Sequence, residues 1–85
     1  MESPDLIALR RMLGRAIKQA RVQAQLSQAE VARRMNVPQS WVSNVETAVR
    51  RIDVVEAWML ADILGVDLTD LRSFVMNDED KNIDS

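Results

Sequence analysis

From Gln39 to Thr47 the chain reads Gln-Ser-Trp-Val-Ser-Asn-Val-Glu-Thr, amides and hydroxyls interleaved with bulky apolar side chains. Set on a helix at about 100° per residue, Gln39, Ser40, Ser43, Asn44 and Thr47 share roughly 140° of arc. Trp41, Val42 and Val45 take roughly the next 100° beyond a short gap. A helix face left to solvent usually carries Lys and Glu, which stay hydrated at little cost. A face of short, uncharged donors and acceptors suits a surface that is itself made of donors and acceptors. Asn and Gln can bond two adjacent atoms of adenine at once, and Ser serves most base edges. Arg50 and Arg51 follow directly and bring the cations that pair with phosphate. A plain hydrated face is the competing reading of the same residues.

Other chemistries find no support. The 85 residues hold no cysteine and no histidine, which excludes disulfides, thiol nucleophiles, zinc sites and Ser-His or Cys-His pairs. Asp78-x-Asp80-x-Asn82-x-Asp84 has the opening spacing of a calcium loop. Ile83 stands where that loop needs glycine, and no bidentate glutamate follows. A solvated acidic tail over 77–85 is the expectation, with no metal, no cofactor and no enzymatic activity. No apolar run approaches the roughly 20 residues that span a bilayer. The acidic opening Met-Glu-Ser-Pro-Asp lacks the basic character of a signal peptide, so a cytoplasmic protein is expected.

A net charge of −2 conceals a strong asymmetry. Residues 1–52 carry nine Lys/Arg and four Asp/Glu, whereas residues 53–85 carry two and nine. Charges more than roughly 8–10 Å apart are largely screened at physiological salt, so local fields decide. The first part of the chain is therefore compatible with a polyanionic partner. With 47% apolar and 28% charged residues the composition is that of a folded domain. A chain this short buries about 60–65% of its unfolded surface, enough for one core.

The elements that must position these residues are all helical. Ser3-Pro4-Asp5 opens a first helix by capping, with Leu6, Leu9, Leu13, Ala16, Ile17, Ala20 and Ala24 as its apolar stripe. Gly14 is expected to bend or interrupt it. Ser27-Gln28-Ala29-Glu30 predicts a reciprocal capping box opening a second helix. Asn36 and Val37-Pro38 then leave room only for a tight turn before the third, the spacing of two helices in a helix-turn-helix. Asp53 and Glu56 predict a second capping box, with Val54, Ala57, Trp58, Ala61 and Leu64 as the inner stripe of a fourth helix ending at Gly65. A short fifth helix from Asp67 carries Leu68, Leu71, Phe74 and Val75.

From Leu13 to Leu71 the chain resembles the Cro/C1-type (XRE-type) helix-turn-helix domain. The stretches that carry the resemblance are Leu-Gly-Arg-Ala-Ile-Lys-Gln-Ala-Arg ending at Arg21, and Leu-Ser-Gln-Ala-Glu-Val-Ala from Leu26. Asn-Val-Pro-Gln-Ser-Trp-Val-Ser-Asn-Val-Glu follows from Asn36, then Arg-Arg-Ile-Asp-Val-Val-Glu from Arg50 and Leu-Gly-Val from Leu64. The resemblance implies an all-α, five-helix lambda-repressor-like domain over 1–76, with 1–12 as an N-terminal helical extension and 77–85 as a flexible acidic tail. It implies base contacts by Gln39, Ser40, Ser43 and Asn44, and phosphate contacts by Gln28, Trp41, Thr47, Arg50 and Arg51. For Trp41 a place in the core is an equal alternative. Arg21 and Glu46 look like the family's internal ion pair. The family's glycine after that glutamate is here Ala48, which makes a left-handed turn less comfortable and puts the path of Val49-Arg50-Arg51 in question.

The function implied is sequence-specific binding of double-stranded DNA by a small regulator, a repressor acting as a homodimer on a palindromic operator. The expected dimer contacts are Leu68, Leu71, Phe74 and Val75 of the fifth helix with part of the fourth, some of which must also close the core. The rival reading is a protein-interaction module, an antitoxin or adaptor, docking a protein partner through Leu6, Ile7, Leu9 and Met12 or through the acidic second half.

Overall fold

The structure, a computed structural model, describes residues 3–71. Phe74, Val75 and the expected tail over 77–85 lie outside the described residues. Four helices run in chain order, α1 (Pro4–Gln23), α2 (Gln28–Met35), α3 (Gln39–Glu46) and α4 (Val54–Leu64). A fifth, α5, opens with helical residues 68–71. No strand occurs among the described residues, and the fold is all-α.

The starts of α1, α2 and α4 follow from their side-chain caps, whereas α3 begins after Pro38 without one. The Ser3 hydroxyl accepts from the Leu6 N–H at 3.2 Å, and Pro4 supplies a fixed φ at the first turn. Ser27 accepts from the Glu30 N–H at 3.0 Å. The reciprocal arm expected of Glu30 is not made, because its carboxylate is taken by Arg33 and Arg34 one turn on. At α4 both arms form: Asp53 accepts from the Glu56 N–H at 2.8 Å and Glu56 from the Asp53 N–H at 3.0 Å.

Two of the turns are left-handed as expected. Asn36 (φ 60°) ends α2 and Gly65 (φ 74°) ends α4. The turn after α3 corrects the expectation for Ala48, which adopts φ 64° despite its Cβ. The Val49 and Arg50 N–H groups then close on the Asn44 carbonyl at 2.8 and 2.9 Å. A left-handed L-residue costs about 1–2 kcal/mol, part of which glycine returns to the unfolded chain as entropy. Ala48→Gly is therefore expected to stabilise by about 0.5–1 kcal/mol, raising the melting temperature by about 2–6 °C. A thermal melt that moved downward would show that this turn carries no strain.

Gly14 does not interrupt α1, which is one continuous helix on both sides of it. A Cβ there would lie 2.5 Å from the Glu46 carbonyl oxygen and 2.8 Å from that of Val45. Glycine is present because the backbone of α1 lies directly on the C-terminal end of α3.

Every helix sends a side chain to the centre. Ile17 of α1, Val31 of α2, Val42 of α3, Leu60 of α4 and Leu71 of α5 are fully buried, each contributing about 1.5–3 kcal/mol. The inner face of α4 differs from the expected stripe: Leu60, Ala61 and Leu64 are buried, while Val54 and Trp58 are 60% and 56% exposed. The sequence Val-Val-Glu-Ala-Trp-Met-Leu-Ala-Asp-Ile-Leu is apolar nearly all round, so its periodicity does not select a face. Leu71, expected at a dimer contact, is 2% exposed within its own core. It closes the core of its own chain and is not part of an exposed surface. Leu68 is half-buried against the same cluster.

Candidate nucleic-acid interface

The sequence of α3 dictates how it sits. Trp41, Val42 and Val45 turn into the core, and the opposite side carries Gln39, Ser40, Asn44 and Thr47 exposed, with Ser43 half-buried. The structure thus brings the four candidate base-contacting residues and Thr47 together on one outward face that bears no charge. The Thr47 hydroxyl donates to the Ser43 carbonyl at 3.0 Å, leaving its oxygen free to accept.

Behind this face lies a buried polar joint. Arg21 Nε donates to Glu46 Oε2 at 2.6 Å, and its two remaining nitrogens donate to Glu46 Oε1 at 3.2 Å and the Leu26 carbonyl at 2.8 Å. The side chains are 12% and 2% exposed. Gln28 Nε2 donates to the same Glu46 oxygen at 3.0 Å, and Gln28 Oε1 accepts from Gln39 Nε2 at 3.5 Å. The Glu46 carboxylate therefore ties α1 and the first turn of α2 to the last turn of α3, and Arg21 also holds the α1–α2 loop through Leu26. A bidentate guanidinium on a buried carboxylate fixes orientation as well as distance. No buried side-chain nitrogen or oxygen among the described residues lacks a partner.

Of the candidate phosphate contacts, Trp41 is corrected. Its ring is 9% exposed in the core, with its open side covered by the Arg50 guanidinium 5.3 Å from the centroid. The tryptophan is a platform that holds an arginine by a cation–π contact. Arg50 also reaches Glu56 at 3.4 Å. Arg51 is exposed just beyond it, and Gln28 is half-buried in the joint. On α2, Arg33 and then Arg34 bond to the Glu30 carboxyl and hold it below the usual carboxylate range.

Sequence reasoning missed two positioning features. One is the contact of Gly14 with the end of α3, for which a mid-helix glycine inside an otherwise amphipathic pattern was the available signal. The other is Gln28, which serves Glu46 before it serves any ligand. No local pattern reports that, since the two residues are 18 positions apart.

An all-α core that presents the outward polar face of the second helix of a tight helix-turn-helix pair defines a DNA-binding domain. The chain belongs to the helix-turn-helix family of the Cro/C1 type, whose profile matches residues 17–71. That family is one of regulatory DNA-binding domains and not of enzymes. Among solved structures, the clp gene regulator ClgR from C. glutamicum is similar at 20% identity and a TM-score of 0.78, over 81% of this chain and 88% of that one. The restriction-modification controller protein C.AhdI from Aeromonas hydrophila is 26% identical with a TM-score of 0.71, over 75% and 97%. A point mutant of the restriction-modification controller protein C.Esp1396I is 19% identical with a TM-score of 0.76, over 92% and 94%. No curated protein matches the sequence. Among the described residues no helix is long and apolar enough to cross a membrane.

Proposed function

We propose that the protein is a cytoplasmic transcriptional repressor that binds a palindromic operator as a homodimer. The observation that carries this reading is the uncharged face of Gln39, Ser40, Ser43 and Asn44, turned outward beside the loop of Arg50 and Arg51. These four side chains meet base edges in the major groove. Gln28, Thr47, Arg50 and Arg51 meet the flanking phosphates. Similarity to C.AhdI, a restriction-modification controller by name, supports a regulatory role.

A single module of this size covers only about 600–1,000 Å² of DNA, little for specific binding at cellular salt. Two copies on half-sites about one helical turn apart resolve this. With Leu71 committed to the core, the dimer face is the exposed apolar stripe of Val54, Val55, Trp58 and Met59 on α4.

Selection of sites from random DNA tests the proposal. The wild-type protein should yield a two-fold-symmetric profile. Gln39→Ala and Asn44→Ala should each cost about 1–3 kcal/mol and flatten particular columns of it. Arg51→Ala should weaken all sequences alike, keep the shape of the profile and lower the salt slope by about 0.9. Unchanged affinity and profile in both Gln39→Ala and Asn44→Ala would favour the protein-interaction reading. The exposed Leu6, Ile7 and Leu9 on α1 would then be its docking surface.

A further inference from the structure

The N-terminal half of α1 lies ahead of the residues matched by the family profile. It nevertheless contributes to the same side of the molecule as the end of α3. Arg11 and Arg15, together with Thr47 and Glu46, line an open groove of roughly 430 Å³. Residues four apart on a helix are stacked neighbours, with Cβ atoms about 5–6 Å apart. Lys18 continues the same edge one turn further on. Within Pro4–Gln23 the basic residues are Arg10, Arg11, Arg15, Lys18 and Arg21, against the single acid Asp5.

The two arginines are not used by the fold. Among the described residues neither makes an ion pair, and both are exposed. Three carbonyls at the end of α3 do not need them either. That of Asn44 is taken by the N–H groups of Val49 and Arg50, that of Val45 by Ala48, and that of Ser43 by Thr47. The acid in the groove is already neutralised, since the Glu46 carboxylate is buried and held by Arg21 and Gln28. Two guanidiniums, unpaired among the described residues, remain beside a hydroxyl whose oxygen is free to accept, and no described anion satisfies them. Guanidinium is the side chain best matched to phosphate oxygens.

From this geometry we infer that Arg11 and Arg15 form a second phosphate clamp, which grips the DNA backbone beyond the contacts of the α3–α4 loop. The inference rests on the DNA-binding reading and extends its footprint along the strand that passes the C-terminal end of α3. The clamp reads no base. Its contribution is the release of counterions at two phosphates per protomer, and it acts on specific and non-specific DNA alike.

The test uses the full chain and a 30-base-pair duplex carrying the site selected by the wild-type protein. Binding is titrated across salt for wild type, for Arg11→Ala with Arg15→Ala, and for Arg11→Lys with Arg15→Lys. Alanine is the best helix former and the positions are exposed, so all three proteins should melt together. The alanine pair is expected to lower the slope of log affinity against log salt by about 1.8 per protomer without altering the selected sequence. The lysine pair is expected to keep the wild-type slope. An alanine pair with wild-type slope and affinity overturns the clamp while leaving the DNA-binding reading in place. A wild-type protein that selects no site overturns both.

Discussion

Glu46→Ala is expected to cost about 3–5 kcal/mol, the loss that follows when one partner of a buried ion pair is removed. In this protein the carboxylate accepts three hydrogen bonds, two from Arg21 and one from Gln28, at 2% side-chain exposure. Its removal leaves a guanidinium only 12% exposed and an amide facing an empty space. A domain of this size has a total stability of about 5–15 kcal/mol, so a large share is lost. The melting temperature should fall by about 12–30 °C. Arg21→Met combined with Glu46→Met should recover part of this, since replacing both charges by apolar groups is often near neutral. Recovery should be incomplete, because the Leu26 carbonyl and the Gln28 amide lose their partners as well. Thermal melts of the two variants measure it. A Glu46→Ala protein melting with wild type would remove the joint from the account of how α3 is held.

The helices and their caps were legible in the sequence because capping is local chemistry. Ser3, Ser27, Asn36, Asp53 and Gly65 each act within four residues of where they stand. The missing arm at Ser27 shows the limit: Glu30 had basic competitors at 33 and 34, and pattern alone does not rank them. The polar face of α3 was equally legible, being a matter of angle around one short helix. Partners distant in the chain were not. Periodicity identifies which residues share a side, but not whether Trp41 meets solvent or core, or that Arg50 would cover it from nine residues away. On α4 the apolar residues were too many to reveal an inner side, so Leu60 was overlooked and Trp58 misplaced. Leu71 was a candidate for a partner surface and for the core alike, and only packing divides those roles.

Gly14 makes the sharpest separation between local and tertiary physics, because the two give opposite signs for one substitution. Helix propensity alone has Gly14→Ala stabilising α1 by about 1 kcal/mol. The added methyl would instead stand 2.5 Å from the Glu46 carbonyl oxygen and 2.8 Å from that of Val45. Both obstacles are backbone, so no rotamer change relieves them, and α1 and α3 must separate. Overpacking costs about 1–3 kcal/mol, and a clash with backbone at 2.5 Å belongs at the upper end, so about 1–2 kcal/mol of destabilisation remains after the propensity gain. The consequence reaches function through the Arg21–Glu46 joint, which spans the same two helices and tolerates little displacement at 2.6 Å. Shifting the end of α3 moves Ser43, Asn44 and Thr47 against the DNA, although Gly14 touches none of it. Gly14→Ala is therefore expected to lower the melting temperature by about 5–15 °C. At a temperature where the variant remains folded, it should also weaken operator binding at least tenfold. Gly14→Val should do more on both counts. A Gly14→Ala protein that melts higher than wild type and binds as well would mean that α1 stands further from α3, and that α3 is aimed by α2 alone.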